Sequence, residues 1–223
     1  MSKNKPFFFS KVFKFVLLIV IGTLLTLILS AYGVSKWITI VAVLTLYVSV
    51  TTLWPIHIIY KSKSLRFIDN YISSNYKRPI FGYSYALAYG NKRDVEDSLK
   101  RIMNTYKQKD IQDVYGANLA IFQNDSRKLL DHANHIAGQE FKDYYQGFAY
   151  VMTGNFEKAG EFLAKLHTPW MIHALKAHLA LKRGNQDEFR LEADQSINSA
   201  IGMQKYVLHH TLRRIENEEF SIV

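Results

Sequence analysis

The sequence predicts an all-α protein in which an N-terminal two-helix transmembrane hairpin is followed by a helical-repeat domain. Three observations predict it. Two long uncharged apolar runs fill most of the first sixty residues, helical periodicity without alternating strands follows from Ser62, and turn signals recur there at nearly constant spacing. The chain has 223 residues, 48% of them apolar and 21% charged, which excludes a disordered or collagen-like chain and allows one or two domains. Cysteine is absent, so disulfide scaffolds, thiolate metal sites and cysteine nucleophiles are excluded.

The first run, Phe15 to Tyr32, reads FVLLIVIGTLLTLILSAY, and the second, Trp37 to Tyr60, reads WITIVAVLTLYVSVTTLWPIHIIY. A bilayer core about 30 Å thick needs about 20 helical residues, and both runs qualify as spans 15–32 and 37–60. A cleaved signal peptide is the competing reading of the first, but the run exceeds the usual apolar core and a second follows at once. Lys3, Lys5, Lys11 and Lys14 precede the first span, and Lys61, Lys63 and Arg66 follow the second, against Lys36 alone between them. Basic residues mark the cytoplasmic side, so both termini and the domain beyond are expected in the cytoplasm of a multi-pass cell-membrane protein. Trp37 is expected at the outer interface, with Trp54, Tyr60 and Phe7–Phe9 at the inner one. Pro55 predicts a kink in the second span. Gly22, Thr26 and Ser30 form a small or hydroxyl stripe on one span, and Thr45, Ser49 and Thr52 on the other. Such faces pack on each other within the hairpin or dock another membrane protein.

The net charge of +9 divides into +5 on residues 1–60 and +4 beyond, so it belongs largely to the membrane segment rather than to a nucleic-acid surface. Residues 1–14 are then a basic cytoplasmic terminus, 15–60 the hairpin, 61–78 a linker helix, 79–200 the repeats, and 201–223 a capping helix and tail.

The repeat rests on four turns, Gly90-Asn91, Asn124-Asp125, Gly154-Asn155 and Gly184-Asn185, whose first members are 34, 30 and 30 residues apart. Aligned on them, Tyr83, Ala117, Gly147 and Ala177 stand seven positions before the turn, and Val95, Leu129, Ala159 and Phe189 five after it. Two antiparallel helices joined by a tight turn approach closely only where side chains are small, while larger apolar groups fill the space to the next pair. Helix pairs are expected at 79–107, 111–138, 141–166 and 169–197. Pro79 and Pro169 fall near the first turns of leading helices, where a missing amide donor is harmless. Leu208, Leu212 and Ile215 are expected to face inward from the capping helix.

The segment Gly147-Phe148-Ala149-Tyr150, followed by Gly154-Asn155-Phe156-Glu157-Lys158-Ala159, resembles the tetratricopeptide repeat family. The resemblance covers roughly 79–197 and departs from the family in its 30-residue spacing and in lacking the large aromatic near the start of the leading helices. It implies a TPR-like domain for protein–protein interaction. In that frame Ile111, Val114, Asn118 and Phe122, then Phe141, Tyr144, Phe148 and Met152, line the concave face of the leading helices. They form a candidate partner-binding groove for a helix or extended peptide, or a seat for the chain's own capping helix or linker.

Catalytic chemistry finds no carrier. His132 and His135, beside Asp131, lie three apart on a predicted helix but lack a further ligand, and the chain contains no HExxH, P-loop, GxSxG or GxGxxG. No catalytic, metal or cofactor residue is assigned. The expected function is a non-enzymatic membrane-anchored adaptor or scaffold with a protein partner and the lipid bilayer as its contacts, without nucleic acid or small-molecule substrate. The alternative is an accessory subunit of a larger membrane complex, such as a transporter or secretion machinery, docked through the hairpin.

Overall fold

The computed structural model describes residues 11–217, with side chains from Val16 onward. The expectations for Lys3, Lys5, Phe7–Phe9 and the tail from residue 218 lie outside the described residues. Every regular element among the described residues is helical. The chain divides into two compact units, one ending at Ser62 and one beginning at Lys63.

The first unit comprises α1 (Lys11–Ala31), a tight turn, α2 (Lys36–Val48), a π-helical turn (Ser49–Leu53) and α3 (Trp54–Tyr60). The turn closes at Gly33, whose φ of 70° is left-handed. Helix α1 packs on α2 where Gly22 lies against Val43. From Lys36 to Tyr60 the chain runs as 25 helical residues with a mean hydropathy of 1.8 and almost no burial, long and apolar enough to cross a membrane. The described apolar stretch of α1, Val16–Ala31, is shorter than a bilayer core requires.

Two local expectations change. Trp54 stays in the right-handed helical region despite preceding Pro55, so the second run does not break there. The π-helical segment lies directly upstream of Trp54. The threonine hydroxyls do not bridge the two helices. Thr26 donates to the Gly22 carbonyl and Thr45 to the Val41 carbonyl, at 2.9 and 2.8 Å, which satisfies each within its own helix.

The second unit starts with α4 (Leu65–Asn75) and continues as four helix pairs: α5/α6 (Pro79–Tyr89, Lys92–Thr105), α7/α8 (Lys109–Phe122, Ser126–His135), α9/α10 (Gln139–Met152, Phe156–Leu163) and α11/α12 (Pro169–Lys182, Gln186–Ser199). It ends with α13 (Gly202–Glu216). Each inter-helix turn is built from the residues that predicted it. Asn91, Asp125, Asn155 and Asn185 each cap the second helix of their pair, the side chain accepting the amide of the residue three positions on. Asn124, Gly154 and Gly184 take φ of 56°, 73° and 75°, and the next amide reaches back to the carbonyls of Ala120, Tyr150 and Ala180 at 2.9 Å. Gly90 departs from the other three. It is not left-handed, and glycine is needed because an added Cβ would stand 2.8 Å from Asp94 Cβ in the Asn91–Asp94 capping box.

The aligned columns form the core. Val95, Leu129, Ala159 and Phe189 are all fully buried, as are Ala117 and Ala177 in the small-residue column. The unit is thus all-α with packed helix pairs, in keeping with a helical repeat. In an open solenoid each repeat meets only its neighbours. Here α13 packs on α12 and also on α4 and α5, so the last helix returns to the first two. The Arg214 guanidinium donates to the Leu87 carbonyl at 2.9 Å across this junction.

Candidate functional site

The leading helices α5, α7, α9 and α11 turn one face toward a common interior, and α13 lies over it. Between them is a cavity of about 220 Å³. The position six residues before each turn supplies one side chain to it from every repeat: Ser84, Asn118, Phe148 and His178. Helical period explains the convergence, because equivalent positions of parallel leading helices face the same way. Met203, Val207 and Thr211 close the cavity from α13.

The candidate groove residues divide by their place in this arrangement. Phe122, Tyr144, Phe148 and Met152 are buried, Phe148 to 2% exposure. Ile111 and Val114 are half-buried against the core, and Asn118 is half-buried with its amide donating to the Tyr145 hydroxyl at 2.9 Å. Phe141 is exposed, with its ring 6.1 Å from that of Trp170. Tyr144 and Phe148 pack within the chain because the capping helix occupies the concave face, the second of the two occupants the sequence allowed.

Sequence reasoning did not assign Tyr83, Tyr115, Tyr145, Trp170 or His178 to the groove, and these also line the cavity. One signal was available: Tyr83 is the only large residue in the small-residue column of Ala117, Gly147 and Ala177. Its ring meets Tyr115 edge-on at 6.0 Å, and Tyr144 meets Tyr145 at 5.3 Å and Trp170 at 5.6 Å. Burial pushes Tyr83, Tyr144 and Tyr145 well above the usual tyrosine range, and Tyr115 to about 12. The proximity of Tyr145, Tyr115 and Tyr144 raises Tyr83 further.

His178 stacks edge-on against Phe148 at 4.3 Å, and burial lowers its pKa to about 3, which keeps it neutral. Its Nδ1 and the Thr211 hydroxyl are buried without a hydrogen-bond partner. An unmet buried polar group costs roughly 1–3 kcal/mol, so the site carries polar capacity that the fold leaves unused.

The other polar clusters have structural roles. His132 Nδ1 faces Asp113 at 3.4 Å, and His135 Nδ1 donates to the Asp131 carbonyl at 2.9 Å, so the two histidines do not converge. His173 Nδ1 meets Glu192 at 2.6 Å. Glu140 accepts from the His167 and Thr168 amides and the Thr168 hydroxyl, and these bonds hold its carboxyl below the usual range while tying α9 to the start of α11. Among the described residues no group of three His, Asp or Glu is placed to hold a metal ion. Comparison of the chain with protein-family models, with curated proteins and with solved structures finds no match.

Proposed function

We propose that the chain is a non-enzymatic membrane-anchored adaptor, with α1 and the helix from Lys36 to Tyr60 crossing the bilayer as a hairpin and a TPR-like domain held on the cytoplasmic side. The observation that carries this reading is the direct succession of an unburied apolar helix of membrane-spanning length and a packed helical-repeat unit. Confinement beside the bilayer raises the effective concentration of a bound partner without new contacts, which gives the anchor its purpose. Because α13 covers the concave face, the partner surface is taken to lie at its rim, with the exposed Phe141 as an aromatic anchor. The test is cross-linking and affinity capture of the full chain from detergent extracts, compared with Phe141→Ala. A reproducible protein partner lost in the variant supports the adaptor, and the absence of any reproducible partner overturns it.

A second reading, an accessory subunit of a larger membrane complex, is favoured by one feature of the first unit. Gly22, Thr23, Thr26, Val43 and Tyr47 line an apolar hollow between α1 and α2, where another transmembrane helix has room to pack. Replacing the hairpin with an unrelated one separates the two readings: an adaptor keeps its partner, and a complex subunit loses it.

A further inference from the structure

The cavity under α13 is larger than the roughly 150 Å³ apolar cavity known to admit benzene, at about 220 Å³. None of its lining residues is Asp, Glu, Lys or Arg. An ion entering it would lose its hydration and meet no counter-charge, and His178 stays neutral there. The walls are aromatic, which favours a flat apolar body. They are not uniformly apolar. The hydroxyls of Tyr83 and Tyr144 make no hydrogen bond among the described residues, although both side chains are more than nine-tenths buried and line the cavity. Asn118 already donates to Tyr145, so the capacity left in the lining includes these two phenols and the unpaired Thr211 hydroxyl and His178 Nδ1.

We propose that this cavity is a binding site for a small uncharged planar molecule of one or two fused rings, bearing an oxygen that hydrogen-bonds to the Tyr83 and Tyr144 hydroxyls. The rings lie against Phe148 and Trp170, and α13 covers the bound molecule through Met203 and Val207. A purely apolar molecule of the same size would leave the phenols unpaired, and a charged one would be stranded without a partner. The proposed site departs from the expectation of no small-molecule substrate, because it forms only when the last helix returns over the first repeats. It is independent of the adaptor reading, since it requires neither a membrane nor a protein partner.

The experiment uses the full chain in phosphatidylcholine nanodiscs and fluorescence titration with 2-naphthol, corrected for partition into empty nanodiscs. Saturable binding to the protein is expected. At least tenfold weaker binding is expected for 2-naphthoate and for trimethyl(2-naphthylmethyl)ammonium. The double variant Tyr83→Phe/Tyr144→Phe removes only hydroxyls that bond nothing within the chain, so it is expected to fold. It should weaken 2-naphthol about tenfold and leave 2-methylnaphthalene unchanged. Partition equal to that of empty nanodiscs overturns the proposal and leaves the cavity to water. Preference for the ammonium compound also overturns it, making the tyrosines an aromatic cage for cations. Equal 2-naphthol affinity in the double variant overturns the role of the oxygen.

Discussion

The hydroxyl of Tyr206, on the last helix, donates to Asp69 Oδ1 on α4 at 2.6 Å across 137 residues of sequence. Tyr89 of α5 donates to the same oxygen at 2.7 Å, so one carboxylate joins the first two helices of the repeat unit to its last. Tyr206 is fully buried, and the carboxylate beside it adds to burial in holding the phenol protonated. Tyr206→Phe should therefore lower stability by about 1–2 kcal/mol, the value of a charge-assisted bond with the second donor still in place. Asp69→Leu should cost more, because it strands the buried Tyr206 hydroxyl and removes the Tyr89 bond as well. Near-ultraviolet circular dichroism of the full chain during denaturation in micelles reads both. Equal midpoints for all three proteins would show that the junction is held by apolar packing alone.

Close approach in the third repeat gives a sharper steric prediction. A Cβ added at Gly147 would stand 2.8 Å from Leu175 Cδ2 and 3.1 Å from Phe162 Cβ. The small column therefore serves contact with α11 as well as with α10. Gly147→Leu should destabilise by about 1–3 kcal/mol through overpacking. The exposed Glu157 changed to Gln should remain within about 0.5 kcal/mol. The comparison is the chemical denaturation midpoint of each variant.

What was legible in the sequence is what local chemistry determines. The Asn and Asp caps and the left-handed residue before three of them are fixed by neighbours a few positions away, so all four turns could be read directly. The column six residues before the turn was not aligned: Asn118 and Phe148 were named as concave-face residues of the leading helices, and Ser84 and His178 were not. Its meaning depends on α13, which comes from the far end of the chain. No periodicity encodes that a bond links Tyr206 to Asp69 or Arg214 to Leu87. The π-helical turn was hidden for a related reason. Pro55 announces a lost donor, but where the helix relaxes depends on upstream carbonyls, one of which Thr51 takes up by donating to Tyr47 at 2.7 Å.

Buried titratable groups set the pH range of the repeat unit. His178 binds a proton at about 3 when folded and near 6.5 when unfolded, so the unfolded state takes up more protons between those values. Stability should fall as pH drops below about 6.5, with His178 contributing at most about 1.4 kcal/mol per pH unit. His210, lowered to about 4 by burial and by His209, adds to the same arm. The tyrosines act at the other end. Burial raises Tyr83, Tyr144, Tyr145 and Tyr206, so their contribution is complete below about pH 10 and is lost as the unfolded phenols ionise above it. His178→Phe should flatten the acid arm and leave the alkaline arm unchanged. An acid arm of the same slope in that variant would remove His178 as its source.

Orientation in the membrane is open to a direct chemical test. The chain has no native cysteine, so single-cysteine variants give a clean background. Ser35 precedes α2 in the turn, and Ser126 begins α8 in the repeat unit. With the basic flanks Lys61, Lys63 and Arg66 on the cytoplasmic side, the turn faces outward and the repeat unit inward. An impermeant thiol reagent applied to intact cells should label Ser35→Cys and not Ser126→Cys. Both should react after the membrane is permeabilised. Labelling of Ser126→Cys alone in intact cells would place the repeat domain outside and end the cytoplasmic-adaptor reading. Labelling of both would mean that the helix from Lys36 to Tyr60, which lies between them, does not cross the bilayer.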